Sequence, residues 1–239
     1  MSSDNIHIFD KLENLHKGFT AFIVQLLSEK ERISISLSGG ETPKGLFDYW
    51  ANDDKSIDWR RIDFYWGDER CVPPSDPESN YGMTKEHLLD KISASESQVF
   101  RIIGENNPSE EALRYSELLD QNLPKENGIP QFDLVILGLG IDGHTVSVFP
   151  HQIDLWENYA NCVVAQHPGS GQNRITLTGK IVNNAVQVAF LTTGSSKREK
   201  VRSIIENSEA FSDRYPAARV NPTSGNLHWF IDQEAGRLL

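Results

Sequence analysis

The segment from residue 138 to 150, GLGIDGHTVSVFP, contains the residue types best suited to chemistry in this chain. Its three glycines match the pattern G-x-G-x-x-G, which lets the backbone of dinucleotide-binding proteins approach a pyrophosphate. The same segment carries Asp142 and His144, and an imidazole readily accepts or gives a proton near neutral pH. Two interpretations therefore compete: a nucleotide-binding loop, and a loop that holds a general base over another substrate.

The residues after these glycines favour the second interpretation. A dinucleotide-binding loop needs a full helix behind it and an acidic residue about 20 positions further on. Pro150 cannot extend a helix and disfavours the helical conformation at Phe149, so about one turn of helix is all that fits. The next predicted strand ends in Gln166 and His167 instead of an acid. We therefore predict that the glycines let the backbone approach a small ligand, with the loop's aspartate and histidine projecting toward it.

A second glycine-rich segment, SGGETP (38–43), is predicted to bind an anion. It lies between a predicted strand and a predicted helix, and we expect Gly39, Gly40 and Thr42 to contact a phosphate. Glycines let successive N–H groups turn toward one point, and the start of a helix adds partial positive charge. The alternative is a tight strand-to-helix turn without a ligand, because the segment lacks the G-x-x-x-x-G-K-[ST] pattern of a nucleotide P-loop.

Two cations are candidates for the same anion. Lys197 lies near the start of a predicted helix, where its charge opposes the helix dipole and a bound anion would remove the conflict. Arg174 begins the predicted strand RITLT and is expected to reach the same anion. A solvated surface lysine and a strand-end arginine in a surface ion pair are the alternatives that do not involve a ligand.

The segment GDER (67–70) adds three charged residues behind a glycine. Arg70 can bind a phosphate or a carboxylate through two parallel hydrogen bonds. Asp68 and Glu69 are possible site residues that would orient this arginine or act as bases. The alternative is a charged loop with internal ion pairs.

Strands alternate with helices along most of the sequence. Apolar, β-rich runs predict strands at 32–37, 61–66, 99–103, 132–138, 162–166, 174–178, 186–194 and 227–232. Helical spacing predicts helices from Phe9 to Leu27 and at 43–51, 80–92, 108–123, 195–207 and 233–239, with Asp10 and Glu13 as a capping box for the first. We therefore predict one domain over residues 1–239, an α/β fold with a doubly wound, largely parallel, Rossmann-like sheet and helices on both faces. Ligands of such sheets lie beyond the carboxyl ends of the strands. The four segments that should meet there are SGGETPK (38–44), GDER (67–70), GLGIDGHT (138–145) and TTGSSK (192–197).

The composition excludes several classes of partner. The formal charge is −11, so general binding to nucleic acid or to anionic membranes is not expected. No secretory signal or membrane-length apolar run is present in the sequence. Cys71 and Cys162 form no C-x-x-C pair, no ligand cluster for a metal is visible, and a reducing cytoplasm is the expected compartment.

The chain resembles the 6-phosphogluconolactonases, within the wider group of glucosamine-6-phosphate deaminases and isomerases. The resemblance is carried by LSGGETPKGL (37–46), WGDERCVP (66–73), SNYGM (79–83), DLVILGLGIDGHTVSVFP (133–150), RITLTGKIVNNA (174–185), FLTTGSSK (190–197) and PAARVNP (216–222). It implies hydrolysis of 6-phospho-D-glucono-1,5-lactone to 6-phosphogluconate in the pentose phosphate pathway. It also implies a phosphosugar lactone as substrate and no cofactor. Apart from the resemblance, a monomer or small homo-oligomer is expected.

The resemblance also implies residue roles. His144 is the general base that activates water, and Asp142 orients that base or the substrate. The phosphate falls to the 39–42 loop with Arg174 and Lys197, and Arg70 is expected near the phosphate or the lactone. Glu41 departs from the family pattern, which has a small hydroxyl residue there, and this casts doubt on a side-chain contact from position 41.

Two alternatives remain open. An aminosugar-phosphate deaminase would use the acid matching Asp68 to remove a proton, but that group has a tyrosine where Arg70 stands. It also has an essential glutamate where this chain has Phe149, which cannot support a ring-opening proton relay. A non-catalytic sugar-phosphate sensor would explain Lys197 and Arg174, but it gives no reason for a histidine and an aspartate beside the ligand.

Overall fold

The computed structural model describes residues 5–239. Its strands are Ile6–Phe9 (β1), Ile33–Leu37 (β2), Ile62–Trp66 (β3), Asp68–Arg70 (β4), Val99–Phe100 (β5), Lys125–Glu126 (β6), Ile129–Pro130 (β7), Leu134–Leu137 (β8), Cys162–Gln166 (β9), Asn173–Leu177 (β10), Gln187–Thr192 (β11) and Leu227–Asp232 (β12). Its α-helices are Leu12–Glu29 (α1), Glu41–Asn52 (α2), Asn80–His87 (α3), Pro108–Asn122 (α4), Gly179–Val182 (α5) and Arg198–Phe211 (α6). Within these residues, no helix is both long and apolar enough to cross a membrane.

Seven strands form a parallel sheet in the order β1-β12-β11-β8-β2-β3-β5. Every residue of β2 and of β8 is buried; β8 appears in the sequence as an unbroken apolar run, whereas β2 alternates apolar residues with the buried Ser34 and Ser36. The predicted α/β, doubly wound sheet is confirmed. From β2 the chain adds β3 and β5 on one side and then returns to place β8 on the other. The point at which the strand order reverses therefore lies between β2 and β8, where such folds bind ligands.

Helices α1 and α2 pack against each other and against the sheet. The α1 residues Leu15, Phe19 and Ile23 recur every four positions and are fully buried. Trp50 of α2 donates its indole N–H to the Thr20 hydroxyl of α1 at 2.8 Å, so a buried polar atom is satisfied. Burying one such large apolar side chain stabilises a fold by about 1.5–3 kcal/mol. The close packing of α1 and α2 therefore supports the sheet that carries the site at its edge.

A second, antiparallel sheet has the order β4-β10-β9 and corrects two predictions. The runs at 162–166 and 174–178 do not join the parallel sheet; they form a hairpin, β9 and β10. The GDER segment, predicted as a loop, contains the short strand β4, which pairs with β10. Its register places Arg70 opposite Arg174, Glu69 opposite Ile175 and Asp68 opposite Thr176.

The first helix begins later than predicted. Residues Ile6–Phe9 form the edge strand β1, and α1 starts after Lys11, which provides no side-chain cap. The predicted capping box of Asp10 and Glu13 is therefore wrong. The Asp10 carboxylate instead accepts a hydrogen bond from the Asn14 amide at 2.6 Å. Phe9, where the helical spacing of apolar residues begins, pairs with β12 as part of strand β1 and therefore does not join the helix.

Other helix predictions also need correction. Residues 233–239 form turns instead of a helix, and the helix predicted over 80–92 ends at His87, followed by a short 3-10 turn. No single helical turn follows His144, because Thr145 and Val148 form an isolated β-bridge. A 3-10 segment begins at Pro150, which suits the first position of a helical turn.

Candidate active site

A cavity of about 280 Å³ lies at the carboxyl ends of β2 and β8. It is lined by Ser38, Gly39, Gly40, Asp68, Arg70, Asn80, Gly138, Leu139, Gly140, Ile141, His144, Val146, Arg174 and Lys197. Four segments that are distant in the sequence therefore meet at the predicted edge, and together with Arg174 of β10 they bring an imidazole and three cations together. Thr42 lies in an adjoining hollow that shares Gly39, Gly40 and Lys197 with this cavity.

Glycines shape the loop that holds His144. At Gly140, a Cβ would lie 2.2 Å from the His144 Nδ1, so only glycine leaves room for the imidazole. Gly143 has a φ of +91°, a region that favours glycine, and a Cβ there would also meet the Tyr215 ring at 2.5 Å. The Gly140 N–H donates to the His144 carbonyl at 2.8 Å and closes the loop. Gly140 and Gly143 thus leave room for the rings of His144 and Tyr215, and the predicted approach of the backbone to a small ligand stays a prediction.

His144 and Asp142 form a directly hydrogen-bonded pair. The distance from His144 Nδ1 to Asp142 Oδ1 is 2.6 Å, and the His144 backbone N–H donates to the same oxygen at 3.1 Å. Burial raises the pKa of Asp142, but the hydrogen bonds and charge of His144 outweigh it and lower this pKa to about 2. An ionised carboxylate accepts a hydrogen bond from Nδ1–H, which leaves Nε2 of the imidazole free to accept a proton from another molecule.

The loop after His144 is strained and is anchored to the small sheet. Val146 has a φ of +45°, which is rare for a β-branched residue, and its side chain lines the cavity. The next residue, Ser147, is fully buried and donates its hydroxyl to the Asp68 carboxylate. Its backbone N–H donates to Thr176 Oγ1 at 3.0 Å. Backbone strain of this kind persists where the surrounding structure maintains it. Here the two hydrogen bonds of Ser147 fix the loop to the antiparallel sheet.

The β2–α2 turn offers uncapped backbone N–H groups. Gly40 is the N-cap of α2 with a φ of +102°, and no side chain caps the helix. A Cβ on Gly39 would lie 1.8 Å from the Asn80 Oδ1 atom, so a side chain is excluded there. The Thr42 and Thr193 hydroxyl oxygens are 2.7 Å apart, which joins this helix start to the end of β11. Free N–H groups at a helix start are suited to an anion.

Three cations face this turn without acidic partners. Within residues 5–239, none of Arg70, Arg174 and Lys197 forms a salt bridge. Arg174 is only 8% exposed, and Arg70 pairs with it across the sheet, where like charges repel. Burial lowers the pKa of Arg174 and of Lys197, and the charge of Arg70 adds to the effect at Arg174. A bound anion would relieve both the repulsion and the desolvation.

The alternation of strand β4 separates its two acids. Asp68 and Arg70 lie on the face of β4 that lines the cavity, whereas Glu69 points to the other face. Glu69 accepts backbone N–H groups of Arg70, Asn80 and Tyr81, each at 2.7 Å. Burial raises the pKa of Glu69 to about 7, although these hydrogen bonds oppose the change. Glu69 therefore joins β4 to the start of α3 and does not line the cavity.

The carboxylate at position 41 points away from the cavity. The Glu41 side chain is 93% exposed, and its closest cation is the Lys44 ammonium at 4.0 Å. Glu41 thus occupies the first position of α2 through its backbone while its charge remains in solvent. Glu41 is among the residues that line the hollow beside the cavity, but its side chain is exposed to solvent.

Comparison with known proteins identifies the family. The family model for glucosamine-6-phosphate isomerases/6-phosphogluconolactonase matches residues 10–229. The chain belongs to this family. The 6-phosphogluconolactonase of Haemophilus influenzae is 45% identical over 210 residues, which cover 87% of this chain and 88% of that protein.

Two solved structures are similar to this member of the glucosamine-6-phosphate isomerase/6-phosphogluconolactonase family. The crystal structure of devB protein superposes with a TM-score of 0.92 at 39% identity, covering 98% of this chain and 99% of that one. The 6-phosphogluconolactonase from Trypanosoma brucei has a TM-score of 0.86 at 28% identity and covers 98% of both chains. The family name joins two activities, so membership alone does not choose between them.

In this family member, sequence reasoning missed two polar residues of the site. Asn80 lines the cavity, excludes a side chain at Gly39, and donates its amide to the Asp68 backbone carbonyl at 2.9 Å. Ser147 is fully buried outside the cavity lining and contacts Asp68, and the sequence does not predict it because neither its burial nor the positive φ of Val146 is visible there. The signal for Asn80 was its place in the motif SNYGM, but no spacing rule links it to a glycine at position 39.

Proposed function

We propose that this chain is a 6-phosphogluconolactonase, which hydrolyses 6-phospho-D-glucono-1,5-lactone to 6-phosphogluconate. The observation that carries the proposal is the cavity in which the His144–Asp142 pair faces helix N–H groups and three cations that form no salt bridge within residues 5–239. The reaction needs a base for water and a site for a phosphate, and this cavity offers both. The 6-phosphogluconolactonase relatives at 40% and 45% identity support the same assignment.

The proposed chemistry begins with water. The Nε2 atom of His144 takes a proton from a water molecule while Asp142 holds the Nδ1 proton, so the imidazolium that forms is stabilised. The resulting hydroxide attacks the lactone carbonyl carbon and gives a tetrahedral intermediate. The bond from this carbon to the ring oxygen then breaks, and the leaving alkoxide takes the proton from Nε2. The product is a carboxylic acid with a free hydroxyl group, and the acid loses its proton to solvent at neutral pH to give the carboxylate.

The phosphate is proposed to bind to Gly39, Gly40 and Thr42, together with Arg174 and Lys197. The turn supplies backbone N–H groups, and the cations supply charge in a partly desolvated setting, where it acts more strongly than in bulk water. Arg70, beside Arg174, adds to the positive potential that draws a dianion into a chain of formal charge −11. Binding the remote phosphate fixes the carbonyl near the imidazole and thereby contributes to the rate.

Aminosugar-phosphate deamination is the second candidate, because Asp68 lines the cavity where that reaction would place its base. The residue five positions after His144 argues against it. Phe149 is 1% exposed and packs on the imidazole with its ring centroid 4.7 Å away. An apolar ring there supplies no proton for opening a sugar ring.

A coupled assay tests the proposal. Glucose-6-phosphate dehydrogenase generates the lactone in place, and its disappearance is followed against the spontaneous rate. We expect a large acceleration by the protein. Disappearance at the spontaneous rate would contradict the proposal. Ammonia release from glucosamine 6-phosphate at a catalytic rate would favour deamination, and tight 6-phosphogluconate binding without lactone hydrolysis would favour a sensor.

We also propose a cytoplasmic location and a monomer or small homo-oligomer. Both cysteines, Cys71 and Cys162, are free thiols, as a reducing compartment requires. Burial raises the pKa of Cys71 to about 11, so this thiol is mostly protonated and unreactive at neutral pH. Sedimentation of the purified protein would measure the oligomeric state.

A further inference from the structure

The ring of Phe149 is packed between two imidazoles. Its centroid lies 4.7 Å from that of His144, with the planes tilted by 52°, and 5.4 Å from that of His167, with the planes at 89°. Phe149 is 1% exposed, so close packing leaves its ring little freedom. Since His144 rests on this ring, whatever holds Phe149 also limits where His144 can lie.

The His167 ring is fixed by its own turn. Its Nδ1 accepts the Ser170 backbone N–H at 3.1 Å and the Gly169 backbone N–H at 3.3 Å. The turn is closed by the His167 N–H, which donates to the Gln172 carbonyl at 2.9 Å, and by the Gly171 N–H, which donates to the His167 carbonyl at 2.9 Å. A ring nitrogen that accepts N–H groups carries no proton, so His167 is the neutral tautomer with its proton on Nε2.

The charges around His167 favour the same neutral state. Burial, Arg174 and His144 lower the pKa of His167, and Arg70 adds to this, against the opposing effect of Asp142. The turn is therefore closed by an imidazole that remains uncharged at neutral pH. A neutral ring packs on Phe149 without bringing a further cation to a site that already holds several.

A second contact joins the end of β9 to the segment that directly follows Phe149. The Gln166 backbone N–H at the end of β9 donates to the Gln152 Oε1 atom at 2.8 Å. Gln152 belongs to the 3-10 segment Pro150–Glu157, which directly follows Phe149. The end of β9 and the turn that follows it thus contact this part of the chain twice. The Gln166 N–H donates to the Gln152 side chain, and the His167 ring packs on Phe149.

We propose that His167 is a positioning residue that holds Phe149 against His144 and so fixes the general base over the lactone. The inference rests on the proposed function and adds a residue that lies outside the sequence segments quoted above. Contact passes from the 167–172 turn through Phe149 to the imidazole, while Asp142 holds Nδ1. Histidine suits the position because one side chain both accepts the turn's N–H groups and presents a flat ring to Phe149.

Two substitutions separate these two properties. His167→Asn keeps an oxygen near the place of Nδ1 and so keeps the turn, but it removes the ring from Phe149. We expect kcat to fall about tenfold with KM nearly unchanged, since small misplacements of a catalytic group cost up to about 100-fold. His167→Phe loses the acceptor but keeps a ring, and we expect it to retain kcat within about threefold because the contact with Phe149 remains.

A double-mutant cycle keeps the test independent of changes in folding. Phe149→Leu removes the intermediate ring without touching the turn and should also lower kcat selectively. Combined with His167→Asn, its effect should be clearly less than the product of the two single effects, because both act through one contact. Purely multiplicative effects would contradict the inference. Urea midpoints of each variant establish that the proteins compared are folded.

Two other outcomes would overturn the positioning role. An unaltered kcat in His167→Asn would show that the ring is not needed. A rise of KM shared by His167→Asn and His167→Phe would instead indicate that Nε2–H contacts the substrate directly. The wild-type protein in the same assay tests the proposed function separately: an inactive wild type contradicts the function, whereas an active wild type with an unaffected His167→Asn variant contradicts the positioning role alone.

Discussion

The two sheets hold the residues of the site in different ways. In the parallel sheet, the strands β2, β8 and β11 are almost entirely buried and carry no charged residue, and the site residues lie in the loops that follow them. In the antiparallel sheet, the strands β4 and β10 themselves carry Asp68, Arg70 and Arg174 into the cavity. A strand covered on both faces has no place for a charge, whereas a small sheet at the rim can present one polar face. The loops after the parallel strands therefore supply the base and the helix N–H groups, and the antiparallel sheet supplies fixed cations.

The largest effect is expected in the loop after β8. His144→Ala should lower kcat by about 10²–10⁴-fold, because a positioned general base contributes this much, and leave 6-phosphogluconate binding nearly intact. The measurement is initial lactonase rates over a range of substrate concentrations, with calorimetric binding of the product. His16→Gln, which changes a half-buried histidine of α1, is the matched control and should retain wild-type rates. An unchanged kcat would remove His144 from its assigned role.

The cations of the two regions should differ in the size of their effect on binding. Arg174→Gln should raise KM by about 10–100-fold with a smaller change in kcat, since hydrogen bonds to charged groups contribute about 1.5–3 kcal/mol. Lys197→Ala in the loop after β11 should raise KM less, because Lys197 is less buried than Arg174. Arg202→Gln, a surface arginine that pairs with Glu206 at 3.0 Å, is the control.

The outcome that contradicts this assignment is specific. If either substitution abolished turnover at saturating substrate and left KM unaltered, the residue would act on the reacting carbonyl and not on the phosphate. Inhibition by inorganic phosphate gives a second readout, because a variant that has lost a phosphate contact should be inhibited less strongly than the wild type. Equal inhibition of all variants would place the anion elsewhere.

The same contrast between the sheets explains what the sequence could predict. Strands buried on both faces consist mostly of apolar and small residues, so β2 and β8 can be recognised as β-rich runs in the sequence, and the loops after them could be placed at one sheet edge from the sequence alone. Strand β4 has only three residues, and all are charged. Its strand conformation depends on pairing with β10, which lies far along the chain, and no local pattern records that. Arg70 was therefore predicted as a site residue, but its pairing with Arg174 was not.

Side-chain positions within the site were less predictable than the loops. Asn80 matters because it occupies the space beside Gly39, and that proximity exists only in the folded chain. Glu69 reads as a candidate base beside Asp68, but strand alternation turns it toward the start of α3. At the N-terminus, the helical period that includes Phe9 is overridden by pairing of β1 with β12. In each case a tertiary contact decided what local propensity left open.

The smallest effect, and one confined to stability, is expected from a histidine inside the parallel sheet. His228 of β12 stacks near His7 of β1, at 6.0 Å between ring centroids, and its Nε2 lies 3.0 Å from the Gln187 Oε1 atom. Burial, and secondarily the charge of His7, lower the pKa of His228 to about 4. In the unfolded chain a histidine has a pKa of about 6.5. As pH falls from 6.5 toward 4, the unfolded state therefore binds a proton that the folded state does not, and the folded state loses stability.

His228→Gln should remove this part of the pH dependence. The fall in urea midpoint between pH 7 and pH 4.5 should be smaller in the variant than in the wild type, while kcat and KM at pH 7 stay the same. Carboxylates also titrate in this range, so the difference between the two proteins is the quantity to compare. An identical pH dependence would mean that His228 is protonated in the folded state as readily as in the unfolded one. A change in kcat would contradict the proposed division of roles between the two sheets. A polar side chain of the parallel sheet would then contribute to the reaction, as those of the antiparallel sheet are proposed to do.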